Sequence, residues 1–158
     1  MIATWLYYGY NLYIKPKPLN NLPVSNTVVS TNYERTANYY ISLARKEFHK
    51  KNYYKAIDFL NQALETNPSN PDLIYYYIGM CYFDLHQYEE SIKSYDKAIE
   101  LNPSDSSFYY MKALSYIDLK NYNEFKSNLE KAIKIEQDKG NTYEAGKYRE
   151  FLDRTVPF

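Results

Sequence analysis

The sequence predicts an all-α fold, an α-α superhelix in which antiparallel helix pairs stack side by side. The stretch Asn67-Pro68-Ser69-Asn70 returns 35 residues later as Asn102-Pro103-Ser104-Asp105. Small and large side chains also recur at matching positions around it: Ala56, Leu60 and Ala63; Ser91, Tyr95 and Ala98; Phe125, Leu129 and Ala132. A period near 34 residues, filled with helix-forming sequence and interrupted by proline, is typical of stacked helix pairs.

The first predicted helix pair covers residues 36 to about 66. A helical spacing of apolar residues predicts its first helix from about residue 36 to residue 50. We expect Asn52 to cap the second helix, whose apolar face carries Ala56 and Leu60. Asn67-Pro68 ends that helix, because the residue before a proline is pushed out of the α region.

The remaining helices are predicted at about residues 72–85, 88–101, 106–119, 122–136 and 142–153. We expect Asn121 to cap the sixth helix and Gly140 to occupy the left-handed position after its end. Gln137 replaces the proline of the earlier repeats, so the sixth helix is expected to run on. The last helix carries Tyr148 and Phe151 on one side, and we expect it to cap the exposed end of the stack.

Residues 1–35 do not fit the repeat and predict an aromatic N-terminal segment followed by a proline-containing linker. The stretch Met1–Ile14 has no charged side chain, yet it is shorter than the roughly 20 apolar residues that span a membrane. It also lacks the basic start of a secretory signal. The prolines between residues 15 and 25 favour an extended or mobile linker. Residues 154–158 are predicted to be a C-terminal tail.

The charge balance excludes several classes of partner, and the cysteine content indicates the kind of cellular compartment. The chain has 19 basic and 19 acidic residues, so no basic surface is expected for nucleic acid or for an anionic membrane. The single Cys81 cannot form an internal disulfide. The sequence also has no Asn-x-Ser/Thr sequon with a permitted middle residue, and these two observations favour a reducing, cytoplasmic setting.

The repeated residues resemble the tetratricopeptide repeat, a 34-residue helix–turn–helix unit with aromatic, Leu-Gly, Tyr, Ala, aromatic, Ala and Pro at set positions. The best copy lies at residues 72–105, with further copies at 37–70 and 106–139 and a capping helix at about 142–153. In the best copy the pattern is carried by Tyr75, Ile78, Gly79, Tyr82, Ser91, Tyr95, Ala98 and Pro103. The first copy departs from it with Glu47 in place of a tyrosine. The resemblance implies a fold that binds other proteins.

The sequence carries no pattern of an active site, and we expect neither enzymatic activity nor a cofactor. His49 and His86 have no cysteine or second histidine at metal-ligand spacing, so no metal site is expected. Phosphate-binding loops and nucleophile motifs are missing from the sequence. Cys81 lies among bulky residues of a first helix, which predicts a packed and inert thiol.

In tetratricopeptide domains the first helix of each repeat lines the concave surface, and the resemblance implies the same arrangement here. The residues predicted to bind a partner are Asn38, Arg45, His49, Leu73, Tyr76, Tyr77, Met80, Phe83, Tyr110, Met111 and Leu114. About half of the aromatic and apolar positions are expected to pack against the neighbouring repeat instead. A groove rich in Tyr and Met suits a hydrophobic peptide or an amphipathic helix of a protein partner.

The acidic C-terminal tails of heat-shock chaperones are disfavoured as ligands. Family members that bind these tails use a clamp of Lys, Asn and Arg at five positions of the first helices. This chain has Ile41, Arg45, Tyr77, Ser107 and Met111 at those positions. Only Arg45 is cationic, so a carboxylate would find no array of charge-assisted donors.

Two further uses of the apolar surface are open at the sequence level. The groove or the aromatic N-terminus could pair two copies into a homodimer, since large exposed apolar patches are rarely left bare. Alternatively, Trp5–Ile14 could fold back into the groove of its own chain, because a tether makes its local concentration high.

Overall fold

The computed structural model of the chain describes residues 26–155, with side chains described for residues 34–155. The described residues form α1 (Asn26–His49), α2 (Tyr53–Glu65), α3 (Pro71–Asp84), α4 (Tyr88–Leu101), α5 (Ser106–Asp118), α6 (Tyr122–Asp138) and α7 (Thr142–Thr155). Turns of three to five residues join consecutive helices, which makes neighbours antiparallel and the odd-numbered helices co-directional. The predicted all-α repeat fold is therefore confirmed.

The main difference from the sequence prediction lies at the start of α1. The linker was expected to reach residue 35, whereas α1 begins at Asn26. The polar and β-branched residues before Thr36 lower helix propensity by only a few tenths of a kcal/mol each, and extending an existing helix is cheap. Glu34 anchors this part of α1, because its carboxylate accepts hydrogen bonds from the backbone N–H and hydroxyl of Ser69. The predictions for residues 1–25 and 156–158 lie outside the described residues.

The helix ends confirm two of the three predicted signals. The side-chain oxygen of Asn121 accepts the backbone N–H of Glu124 at 3.3 Å, and Gly140 has a φ of 75°. Asn52 behaves differently, since it makes no side-chain cap and instead donates to the buried Glu47 carboxylate at 2.9 Å. As the missing proline predicts, α6 has 17 residues and α4 has 14.

Small residues lie where helices approach most closely in the core. Ala56, Ala98 and Ala132 are fully buried. Gly79 shows why a small residue is needed, because a Cβ atom at this position would lie 2.5 Å from the ring of Tyr95. Tyr95 itself is fully buried. The pairing of small and large residues in the sequence therefore corresponds to close helix contacts.

The helix α3 lies in the middle of the stack and contacts α2, α4 and α5. This position explains why it is apolar on most of its surface, since each side packs against a neighbour. Even so, none of the helices between residues 26 and 155 combines the length and the hydropathy needed to cross a lipid bilayer.

Candidate partner-binding cleft

A cleft of about 560 Å³ opens between the first turn of α5, the end of α6 and the inner side of α7. The aromatic and apolar residues of its lining are Tyr76, Tyr110, Met111, Tyr148 and Phe151. The polar residues of its lining are Asp105, Ser106, Ser107, Glu136, Lys139, Asn141, Glu144 and Lys147. This volume falls within the roughly 300–1,000 Å³ of ligand pockets, so the cleft can accept large side chains of a bound segment.

The cleft exists because the interface between α5 and α7 is less filled than the interface between α3 and α5. In the α3–α5 interface, Tyr76 packs against the fully buried Phe108 with 5.3 Å between ring centroids. Tyr110 lies at the matching position one repeat later and stacks on Tyr148, with centroids 4.8 Å apart and an interplanar angle of 18°. Both of these tyrosines remain half-buried, and their rings form an aromatic wall.

One residue difference between α5 and α7 lies beside the opening. Phe108 is the third residue after the N-cap of α5, which is Asp105. The third residue after Asn141, which precedes α7, is Glu144, and its backbone N–H donates to the Asn141 side chain at 3.3 Å. The Glu144 carboxylate pairs with Lys147 at 3.1 Å. A carboxylate held by a lysine cannot fill the space that a phenyl ring fills in the preceding interface.

Glu136 fixes the turn between α6 and α7 at the polar side of the cleft. Its carboxylate accepts hydrogen bonds from the hydroxyl of Ser106 at 2.6 Å, from Lys139 at 3.3 Å and from Asn141 at 2.7 Å. Burial by itself raises the pKa of Glu136, but these hydrogen bonds outweigh burial and lower it. The ionised carboxylate therefore ties α5 to the α6–α7 turn.

The two stacked tyrosines keep their protons at neutral pH. Burial raises the pKa of Tyr110, while Lys147 opposes this rise and Glu144 adds to it. Burial also raises the pKa of Tyr148 to about 12, although a hydrogen bond with Ser106 opposes the rise. A protonated phenol can donate a hydrogen bond to a backbone carbonyl, so the aromatic wall also offers polar contacts to a peptide.

Three of the predicted partner-binding residues are more buried than the prediction requires. Tyr76, Met80 and Met111 have exposed fractions of 8%, 4% and 5%, because all three pack with Phe108 in one buried cluster between α3 and α5. Met80 belongs to the core at the α3–α5 interface, and its contact with a partner stays a prediction. Tyr76 and Met111 form part of the cleft lining.

Four further predicted residues, Leu73, Tyr77, Phe83 and Leu114, are half-buried. Leu73, Tyr77 and Leu114 pack against the buried cluster of the α3–α5 interface. Phe83 contacts Tyr88 of α4, with 5.6 Å between ring centroids, so its ring packs within its own repeat. These positions border the core and leave only part of each side chain for a ligand.

The remaining predicted residues of the first repeat, Asn38, Arg45 and His49, are exposed. They lie on α1, and the cleft lining includes none of them. Arg45 is close enough to Tyr77 to oppose the increase in the tyrosine pKa that burial causes.

The cleft lining contains 13 residues, and the sequence reasoning assigned only Tyr76, Tyr110 and Met111 to partner binding. The others come from the first turn of α5, the α6–α7 turn and α7, which the resemblance treats as a cap. One signal could have identified α7 as a cleft wall. Tyr148 and Phe151 lie three positions apart, and so share one side of the helix.

A second signal lies in the spacing Glu-x-x-Lys-x-Asn. It occurs at Glu47-x-x-Lys50-x-Asn52 and again at Glu136-x-x-Lys139-x-Asn141. In both places the buried carboxylate accepts hydrogen bonds from the lysine and from the asparagine. The second occurrence indicates that the α6–α7 turn is held by the same hydrogen bonds as the α1–α2 turn.

The surroundings of Cys81 disfavour a nucleophilic thiol. Burial raises the pKa of the Cys81 thiol to about 12, and Asp84 adds to this effect, so the reactive thiolate is not formed at neutral pH. Among the described residues, no group of histidine, cysteine, aspartate and glutamate side chains is placed to hold a metal ion.

The comparison with known families agrees with this architecture. One tetratricopeptide repeat profile matches residues 73–105, and a second matches residues 37–70 and 106–139. Together these matches cover more than half of the chain. The chain belongs to the tetratricopeptide repeat family. The matched ranges agree with the predicted repeats to within one residue, while no curated protein sequence matches the chain at a significant level.

Solved tetratricopeptide structures share the fold at low sequence identity. PcrH from Pseudomonas aeruginosa, in complex with the chaperone-binding region of PopD, aligns with a TM-score of 0.68 and 17% identity, over 77% of this chain and 92% of that chain. The TPR2B domain of yeast Sti1 in complex with pHsp70 aligns with a TM-score of 0.69 and 20% identity, over 77% of this chain and 96% of that chain. The Yersinia enterocolitica chaperone SycD, in an alternative dimer, aligns with a TM-score of 0.68 and 20% identity, over 77% of this chain and 92% of that chain.

Proposed function

We propose that this tetratricopeptide repeat chain is a protein-interaction module that binds a peptide or helix of a partner in its concave groove. The observation that supports this proposal is the cleft between α5 and α7, whose aromatic wall faces polar and charged side chains. Large side chains of the partner segment, aromatic or aliphatic, would enter between Tyr110, Tyr148 and Phe151. Tyrosine contributes contact area at low entropic cost, and its hydroxyl can bind the backbone of the segment.

The solved neighbours give independent support by analogy. Their descriptions name a chaperone-binding region of PopD bound to PcrH and a complex of Sti1 with pHsp70. Binding of a polypeptide segment is therefore compatible with this fold, although the fold alone does not determine the ligand. The partner of this chain is specified by the lining of its own cleft.

The same lining disfavours an acidic chaperone tail. Of the five clamp positions, Met111 is buried and Tyr77 is half-buried. Arg45 is the only cation among the five, and the cleft lining has Asp105, Glu136 and Glu144 against two lysines. A carboxylate-rich tail would meet more repulsion than pairing in this cleft.

A binding role without enzymatic activity, in a reducing cytoplasmic compartment, is part of the same proposal. Its support is the high pKa of the Cys81 thiol, which removes the single candidate nucleophile of this type.

A peptide library displayed on phage and selected on the intact chain tests the proposal. We expect the enriched peptides to share an aromatic or large aliphatic residue and to lose about tenfold in affinity for Tyr110→Ala. Tyr122→Ala is the matched control, because Tyr122 is 52% exposed at the start of α6 and lies outside the cleft lining. Equal affinities for the two variants, measured by fluorescence polarisation, would contradict the assignment of the cleft.

The alternative role is self-association through the same apolar surface. Light scattering at several protein concentrations separates the two roles. A mass that stays monomeric over a hundredfold dilution excludes the homodimer, whereas a dimer that dissociates in the Tyr110→Ala variant would assign the cleft to a second copy.

A further inference from the structure

We propose that the chain's own N-terminal segment, Trp5–Ile14, occupies the cleft between α5 and α7 and that a partner must displace it. This inference rests on the proposed function, because it assigns a resident occupant to the same cleft. The concave surface would then be self-masked, and partner binding would be a competition within one molecule.

The chemistry of the segment fits the lining of the cleft. Residues 1–14 contain no charged side chain, and residues 5–14 read Trp-Leu-Tyr-Tyr-Gly-Tyr-Asn-Leu-Tyr-Ile. An uncharged segment gives up no hydrated charge when it enters a partly apolar cleft. Its aromatic rings can stack on the Tyr110–Tyr148 wall. Its tyrosine hydroxyls can donate to the carboxylates of Asp105 and Glu144, and hydrogen bonds to ionised acceptors are the stronger kind.

The geometry of α1 allows the segment to reach the cleft. Glu34 contacts Ser69, so this part of α1 is level with the turn that precedes α3. The helix continues from there back to Asn26, which adds about 12 Å at 1.5 Å per residue. Packed helices lie about 8–10 Å apart, and we count two such spacings from α1 through α3 to α5. The path from Asn26 to the cleft is therefore about 20–25 Å.

The connecting chain is long enough for this path. Residues 15–25 lie between Ile14 and Asn26, and eleven residues span at most about 36 Å when extended. The three prolines in this stretch favour extension and reduce the number of conformations that docking would exclude. A tether of this length gives the segment an effective concentration on the order of mM at the cleft. A segment with an intrinsic Kd of about 0.1 mM would then weaken a competing peptide about tenfold.

Trp5 is the only tryptophan of the chain and therefore reports directly on the segment. We expect its fluorescence in the intact chain to be blue-shifted and protected from acrylamide, relative to N-acetyltryptophanamide. Tyr110→Ala should shift the emission to longer wavelength and increase quenching. Leu6→Asp should do the same without any change in the described helices, because it places a charge in the segment itself. Far-UV circular dichroism checks that both variants remain folded.

Three outcomes would overturn the proposal. Trp5 could be as accessible in the intact chain as in the free amide, or its protection could survive in both Tyr110→Ala and Leu6→Asp. Protection that disappears on hundredfold dilution, together with loss of a dimer in light scattering, would assign the segment to a second copy. Tyr122→Ala is again the matched control, and its Trp5 spectrum should equal that of the intact chain.

Peptides selected from the library separate this inference from the proposed function. If the cleft is self-masked, a selected peptide should bind the Leu6→Asp chain about tenfold more tightly than the intact chain. Equal binding to both chains would keep the partner-binding function and reject the self-masking. Binding to neither chain would reject the function itself.

Discussion

The α3–α5 and α5–α7 interfaces are built on the same repeat position, yet one is closed and the other is open. Tyr76 of α3 meets Phe108 and becomes part of the core, with 8% of its surface exposed. Tyr110 of α5 meets Tyr148 and Phe151 instead, and a cleft of about 560 Å³ remains beside it. Whether a repeat position is buried therefore depends on the helix that follows it, and only partly on the repeat itself.

The difference also explains why the proposed binding site lies at one end of a stack of similar helices. Each internal repeat covers the apolar side of the preceding first helix. The helix α7 has the polar residue Glu144 where α5 has Phe108, and α7 covers Tyr110 less completely than α5 covers Tyr76. The terminal helix thus closes the stack and forms one wall of the proposed binding cleft.

The largest effect on stability is expected when a ring is removed from the closed α3–α5 interface. Phe108→Ala should lower the free energy of unfolding by about 3–5 kcal/mol, since it removes a fully buried ring from a packed core. Phe151→Ala should cost only about 1–2 kcal/mol, because its ring is already partly exposed beside the cleft. Urea unfolding of both variants measures the difference. Equal losses would show that the two interfaces are packed alike and that the cleft is filled in solution.

The second prediction concerns a substitution that overfills the closed α3–α5 interface. Ala98 is fully buried beside Tyr95 and Phe108, so Ala98→Leu should destabilise the chain by about 1–3 kcal/mol. Lys97→Leu is the matched control one residue away. The Lys97 side chain is exposed and pairs with Glu100 on its own helix, so the change should stay within about 0.5 kcal/mol. Equal, negligible shifts in a thermal melt would show that Ala98 is not a helix contact.

The fold was predictable because its signals are local and repeated. The Asn-Pro-Ser motif, the helical spacing and small residues such as Gly79 and Ala98 predict the helices and their closest contacts. The start of α1 was not predictable in this way. Residues 26–35 have weak helix propensity and no partner helix in the repeat pattern, so the sequence gives no local reason to extend α1.

The candidate cleft was predictable only in part, for a different physical reason. The family pattern indicates that Tyr76 and Tyr110 occupy equivalent positions, but it does not indicate what covers them. Burial depends on the side chain that the next helix brings, here Phe108 in one place and Glu144 in the other. Such a contact between residues more than 30 positions apart is a property of the packed stack, and a repeat profile treats both positions alike.

The two buried carboxylates provide a third, smaller test, based on pH. Hydrogen bonds from Lys50 and Asn52 hold the pKa of Glu47 at about 2, below its ordinary value of 4.5. The ionised form is therefore stabilised by folding, and this contribution is complete above pH 4.5 and is lost as the pH falls towards 2. Glu47→Gln should lower the stability at pH 7, and the difference from the unchanged chain should shrink between pH 4.5 and pH 2.

Glu136 extends the same test, because its carboxylate makes the equivalent hydrogen bonds in the α6–α7 turn beside the cleft. Its pKa is also lowered, so Glu136→Gln should show the same direction of pH dependence. Only Glu136→Gln should also weaken the binding of a selected peptide, because Ser106 and Asn141 belong to the cleft lining. Urea unfolding between pH 2 and pH 7 and fluorescence polarisation at pH 7 measure the two effects. A constant difference in stability across this range would show that these carboxylates are not stabilised by their hydrogen bonds.

The smallest change in stability is expected from Glu144→Phe, and this variant tests the comparison most directly. It gives α7 the residue that α5 has at the same distance from its N-cap, and the new ring should fill the cleft beside Tyr110. Stability should change by less than about 1 kcal/mol, because the lost pair with Lys147 is offset by buried apolar surface. The affinity for a selected peptide should fall at least about tenfold. Glu150→Phe is the matched control, since the Glu150 side chain is 67% exposed and pairs with Arg154 on the same helix. If Glu144→Phe binds the peptide as well as Glu150→Phe does, the cleft is not the place where the partner enters, and the contrast between the two interfaces has no consequence for binding.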